Sequence, residues 1–270
     1  MLFPALGYIY VVKVCFILFL LQLIFVGCSN ETNRDHEAGP TEDTIVVAKT
    51  EDSVKMVVVD SIADEISPIE KQLIEMGLMN IHELDPEIVV DLRYSTTDNF
   101  IGVDVYGDFN ECYLQKDVAE KLAVAQKKLK ERYPFYSLLV YDAVRPLHIQ
   151  QQMWDTLVMP RGEKTKYLSN PAKEKGSLHN YGAAVDLSII DENGIPLDMG
   201  TPFDFFGEKA HPVKEKELLE NGTLTYREVA NRELLRSVMR QAGFFGIQTE
   251  WWHFNSCTRV VAAEKYKMVL

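Results

Sequence analysis

Three side chains of this sequence have the chemistry to hold a metal ion together. His179 and Asp186 lie in Ser177-Leu178-His179-Asn180-Tyr181-Gly182-Ala183-Ala184-Val185-Asp186, and His253 closes Glu250-Trp251-Trp252-His253. Two imidazoles and one carboxylate are a common ligand set for a catalytic zinc that keeps a fourth position open for water. Glu250 supplies the further carboxylate that such a site needs as a proton acceptor. Spacing alone leaves the geometry open. His179 and Asp186 are seven residues apart and would face opposite sides of one continuous strand. Gly182 permits a turn between them, with His179 on the loop and Asp186 on the strand that follows. Glu250 and His253, three apart, converge only if their strand bulges or ends between them. Taken singly, each residue has an ordinary explanation as a hydrogen-bonded histidine or an acid paired with an arginine. Asp186 resists it most, because Val185 and Leu187 flank it and an uncompensated buried carboxylate is costly.

The elements that must position these groups follow from periodicity. Residues 183–190 read as a strand, and Asp191-Glu192-Asn193-Gly194 is a strong turn signal after it. Residues 250–254 read as a final strand. Residues 137–143 form a buried strand leading to Arg145-Pro146, and residues 88–94 are β-rich. Helical spacing covers residues 69–76, stopped by Gly77, and 117–130, with Val118, Leu122, Ala123, Ala125 and Leu129 on one face. It returns over 149–158 and, most clearly, over 225–242, with Val229, Leu234, Leu235, Val238 and Met239 inward and Gly243 closing. Loops fill 96–110 and the polar stretch up to Gly176. Helices and short strands without regular βαβ alternation predict an α+β fold, and no internal repeat is visible.

At 270 residues the chain holds one good-sized domain plus attachments, and its hydrophobic content of 47% suffices for a packed core. A formal charge of -12, with no run of Lys/Arg to neutralise phosphates, argues against nucleic acid as a partner. Residues 1–27 predict a lipoprotein signal peptide: Lys13 precedes an apolar run that ends at Gly27 and Cys28. Phe25-Val26-Gly27-Cys28 resembles a bacterial lipobox, with Phe25 where leucine is more usual, so Cys28 is the expected lipidation site. The globular part is then exported and tethered to a membrane. Residues 28–67 carry ten acidic residues against three basic ones and few apolar groups, as a flexible linker does. His36 falls there as a solvated bystander. Cys112 and Cys257, the cysteines left to the domain over 68–270, could pair or stay free.

The motifs resemble those of the VanX-type D-alanyl-D-alanine dipeptidases, a zinc peptidase family. Residues 177–186 match that family's SxHxxGxAxD pattern and residues 250–253 its ExWH element. Tyr141-Asp142-Ala143-Val144-Arg145-Pro146 is similar to its strand ending in Arg-Pro, with Val144 where a tyrosine is usual. Asp91-Leu92-Arg93-Tyr94 and Asp98-Asn99-Phe100 resemble its N-terminal region, so the resemblance spans roughly residues 68 to 260. It implies a central antiparallel sheet flanked by helices, shared with D,D-carboxypeptidases and the Hedgehog signalling domain. It further implies one zinc per chain on His179, Asp186 and His253, with Glu250 as general base and Arg145 stabilising the developing oxyanion. Asp198-Met199-Gly200-Thr201-Pro202-Phe203-Asp204 resembles a segment near the substrate's amino end; Asp204 is preferred there to Asp198, and Ser177 is a second candidate substrate contact. His82, His148 and His211 have no chemical partner in view, and Trp251 and Trp252 suit either a pocket wall or the core. The expected activity is hydrolysis of D-alanyl-D-alanine to two D-alanines in cell-wall peptide turnover. The rivals are a D,D-carboxypeptidase or endopeptidase on peptidoglycan stems and a non-catalytic zinc-binding module. An open groove would favour stem peptides and a small closed cavity the dipeptide, while retention of Glu250 and Arg145 speaks against the module.

Overall fold

The structure, a computed structural model, describes residues 66–270. The signal segment, the lipidation site Cys28 and the acidic linker, apart from Ile66 and Ser67, lie outside the described residues. Those described belong to one compact unit, Asp60–Leu270, and none of their helices is long and apolar enough to cross a membrane. Along the chain run α1 (Pro68–Glu75), β1 (Leu78–Asn80), β2 (Val89–Val90), β3 (Tyr113–Gln115), α2 (Lys116–Lys130), β4 (Ser137–Asp142), α3 (Leu147–Thr156), α4 (Arg161–Lys164), β5 (Ala184–Ile190), α5 (Glu215–Glu220), α6 (Tyr226–Gln241), β6 (Phe245–Gly246), β7 (His253–Asn255) and α7 (Arg259–Lys265).

The main sheet has the order β2-β4-β5-β7-β6, and a two-stranded sheet pairs β1 with β3. Antiparallel pairing joins β4 to β5, β5 to β7 and β7 to β6, while the edge strand β2 runs parallel to β4. The expected α+β fold with a largely antiparallel central sheet is therefore present. Every residue of β4 and β5 is buried. A strand covered on both faces reads as a continuous apolar run rather than an alternating one. That makes Asp142 and Asp186 conspicuous within them. On α2 the buried face holds Val118, Leu122, Ala125 and Leu129, and on α6 it holds Leu235, Val238 and Met239. A capping box starts α6: the Thr225 hydroxyl accepts from the Glu228 N–H, and the Glu228 carboxylate accepts from the Thr225 N–H.

Two strands are shorter than the sequence predicts. The stretch 88–94 contributes only Val89 and Val90 to the sheet. After the Asp91 amide bonds the Val140 carbonyl, a 3-10 turn at Arg93–Ser95 drops Tyr94 into the interior. The final strand begins at His253 instead of Glu250. Strands β1, β3 and β6, of two or three residues each, carry too short a period to be read locally. Cys112 is buried in the core and Cys257 packs beside a small cluster around Ala262; both are free thiols, so the pairing left open does not form.

Candidate active site

His179 opens a 3-10 turn, His179–Tyr181, that Gly182 closes in the left-handed region at φ 64°. A Cβ at Gly182 would sit 3.2 Å from the backbone nitrogen of Gln115, so the turn requires glycine for its close approach to β3 as well as for its angle. Asn180 pins the turn, its amide nitrogen donating to the Arg145 carbonyl at 2.8 Å and to Gln150 Oε1 at 2.9 Å. Asp186 lies on β5 directly opposite His253 on β7. The turn and the strand register together remove the conflict posed by the seven-residue spacing.

The three groups converge. His179 Nε2 is 3.5 Å from Asp186 Oδ2 and 3.3 Å from His253 Nδ1, which is 2.9 Å from Asp186 Oδ1. Each imidazole is oriented from behind. His179 Nδ1 lies 2.7 Å from the Ala143 carbonyl, and His253 Nε2 lies 2.9 Å from Asn255 Oδ1. With those oxygens accepting, His179 Nε2 and His253 Nδ1 are the nitrogens free to face the Asp186 carboxylate, as metal-binding histidines do. The donor set thus fits a metal ion, and its ligand atoms lie within 4.8 Å of one another. Charge compensation points the same way. Burial alone would lower the pKa of His253, but Asp186 outweighs it and pushes the imidazole up to about 9. Burial alone would raise Asp186, yet His179 and His253 hold it far below the usual carboxylate range. A carboxylate that keeps a proton on a buried imidazole can compensate a bound cation instead.

Glu250, Arg145, Asp204 and Ser177 line the same cavity, of about 210 Å³, together with the three ligand residues. Glu250 sits on the bend before β7, with Oε2 4.0 Å from His253 Nδ1. Because the strand starts only at His253, the two side chains reach one space despite their spacing. Burial, with the Asp186 charge added, pushes the Glu250 carboxyl above its ordinary range. Arg145 is buried, pairs with Asp142 (Nε to Oδ2, 3.1 Å), and lies over the Tyr94 ring at 5.1 Å. The ion pair with Asp142 and the position on the cavity wall hold at once.

Asp204 adopts φ 58°, and its Oδ2 accepts from the Tyr94 hydroxyl at 2.9 Å. Burial first, then the Asp186 charge, pushes its carboxyl well up. Asp198 is exposed, caps the Gly200 amide at 2.8 Å and lies off the cavity. Ser177 lines the wall beside His179, its Oγ accepting from the His179 amide at 3.4 Å.

Several residues at the site have no role in the motif reading. Tyr94, Tyr167 and Phe206 wall the cavity, and Asn255 orients His253. Asn255, two residues after His253 on β7, shares its face, which is a readable signal. Nothing local marks Tyr167 or Phe206. Trp252 lines the cavity, whereas Trp251 turns away and donates to Thr201 Oγ1 at 2.8 Å. Val144 is buried in the core and is not one of the residues that line the cavity. His82 does have partners, the Ile88 carbonyl at 2.9 Å and Glu111 at 3.5 Å, but lies away from the cavity, as do His148 and His211.

A family profile described as D-ala-D-ala dipeptidase, Peptidase_M15, matches residues 74–269. The D-alanyl-D-alanine dipeptidase of Escherichia coli (strain K12) is 32% identical over 182 residues, covering 66% of this chain and 83% of the relative. Those of Enterococcus faecium and Enterococcus faecalis are each 28% identical, over 193 and 194 residues, covering 67% of this chain and 91% and 92% of theirs. The solved LD-carboxypeptidase LdcB overlaps 56% of this chain and 63% of its own at 19% identity, with a TM-score of 0.34, a likeness too distant to bear on the site. With a match that spans nearly the whole described region, the chain belongs to the Peptidase_M15 family and is a peptidase.

Proposed function

We propose that this chain hydrolyses D-alanyl-D-alanine to two D-alanines, using one zinc ion held by His179, Asp186 and His253. The observation that carries the reading is the small cavity, of about 210 Å³, that the ligand set, Glu250 and Arg145 line together. It falls below the roughly 300–1,000 Å³ of sites for drug-sized ligands and suits a very small substrate. Bound zinc supplies Lewis acidity and brings the pKa of its water to about 7. Glu250 accepts a proton from the attacking water and passes it to the departing amine, which leaves protonated. Arg145, held by Asp142 and Tyr94, presents a fixed cation to the carbonyl oxygen as negative charge develops there. Asp204 is a half-buried acid on the cavity wall, held by the Tyr94 hydroxyl, and the substrate's ammonium would be its counterion. Ser177, beside His179 on the same cavity, is a second substrate contact. Cys28 carries the lipid that tethers the exported enzyme to a membrane, a reading that rests on the apolar run and Gly27-Cys28.

The test is D-alanine release from D-alanyl-D-alanine by the purified chain, with zinc and with a chelator, beside Glu250→Ala and a pentapeptide ending in D-Ala-D-Ala. Chelator-sensitive turnover of the dipeptide, lost in the variant and absent for the pentapeptide, is expected. Turnover of the pentapeptide would move the enzyme to wall stems. Zinc binding without turnover of either would leave a binding module. For the anchor, labelled palmitate should enter the wild type and not Cys28→Ala.

A further inference from the structure

We propose that Arg259 receives the free α-carboxylate of the substrate and makes the cavity selective for peptides with an unblocked C-terminus; this rests on the dipeptidase reading above. Arg259 is the first residue of α7, solvent-exposed, and lines the cavity. Two arginines line it. Arg145 is committed to Asp142 and stacked on Tyr94, whereas no hydrogen bond or ion pair to Arg259 is found among the described residues. An uncommitted guanidinium beside a pocket is free to bind an anion, and its planar fork matches a carboxylate in two parallel hydrogen bonds.

Its placement follows from packing. Ala262, one helical turn after Arg259, packs with Leu178 and Tyr181, which fixes α7 against the His179 turn. Asp204, held by the Tyr94 hydroxyl at 2.9 Å, lines the same cavity. The cavity that holds the ligand set is therefore lined by both an acid and an unpaired cation. Both residues line the cavity, so a dipeptide bound there has an acid to meet its ammonium and an unpaired guanidinium to meet its carboxylate. A carboxamide end has no charge for Arg259 to meet.

The experiment compares D-alanyl-D-alanine with its C-terminal amide on the full-length wild type, Arg259→Ala and Arg259→Glu. The wild type should prefer the free acid. In Arg259→Ala the KM for the acid should rise about ten- to a hundredfold, with kcat little changed, and the acid-to-amide preference should collapse. In Arg259→Glu the preference should reverse. A preference equal in all three proteins would overturn the role of Arg259 and leave the dipeptidase standing. A wild type that cleaves neither compound would overturn both readings. The exposure of Arg259 makes misfolding an improbable cause of any effect, and thermal melts of each variant check it directly.

Discussion

Asp142 has no exposed surface, yet three functional groups depend on it. Its carboxylate receives Arg145 Nε at 3.1 Å and the Tyr106 hydroxyl at 2.6 Å, and lies 3.4 Å from His179 Nδ1. A register shift in the β4–β5 pairing brings it opposite Asp186. Removing one partner of a buried pair leaves the other uncompensated, at about 3–5 kcal/mol. Asp142→Ala is therefore expected to lose roughly that much stability in a denaturant titration, and turnover as well. Asp142→Asn, which keeps the side-chain shape and two hydrogen-bonding atoms but not the charge, should lose less stability than Asp142→Ala and still lose kcat because the guanidinium is less firmly held. If Asp142→Asn kept full kcat, the account of Arg145 positioning would fail. From sequence alone Asp142 is only an acid inside an apolar strand, because Tyr106, one of its partners, lies 36 residues away.

Helix α7, which carries Arg259, is tied to α2 through one acid. Asp117 accepts from Lys265 Nζ at 2.6 Å and from the Tyr266 hydroxyl at 2.9 Å. Burial is the largest single influence on Asp117 and opposes its ionisation, but these hydrogen bonds and the Lys265 charge together outweigh it and hold its pKa below the ordinary 3.8. A depressed carboxylate pKa contributes stability above the unfolded value and loses it as pH falls through the folded one. Asp117→Asn should therefore be less stable than the wild type at neutral pH, by the fraction of a kcal/mol usual for exposed pairs, about 0.2–1. The gap should close below pH 3.8. Thermal melts across pH check this, and a gap that widened in acid would reverse the assignment. The helices α2 and α6 are legible because their apolar spacing repeats over several turns. The edge strand β2 is not, because its end is decided by where Tyr94 finds its cavity rather than by its own β-rich residues.

At the scale of the molecule, the ligand set joins three separate segments: the 3-10 turn, β5 and β7. An ion bound there cross-links them and stabilises the fold by mass action, about 2.7 kcal/mol at a hundred times Kd. Zinc should raise Tm and a chelator lower it, as calorimetry would read. Glu250→Ala, which removes no ligand, should keep the zinc-dependent rise while losing turnover; His179→Ala should lose both. An equal rise in all three proteins would place the ion elsewhere.

The candidate ligand residues, the acid proposed as proton acceptor and the α+β class are carried by local pattern, since motif spacing and apolar period are properties of short stretches. Convergence is not local. His179 and Asp186 meet because Gly182 turns the chain, and His253 joins them because β7 pairs with β5 in one register, 67 residues on from Asp186. A one-residue slip of that register would put every side chain of β7 on the other face. The same dependence on distant contacts governs the Tyr94–Asp204 bond, the size of the cavity and the place of Arg259 at its wall. Residue types and their order thus determine which chemistry is available. Which groups share one space, at what distance and facing which cation, is decided by strand pairing and helix packing between parts of the chain that carry no local record of one another.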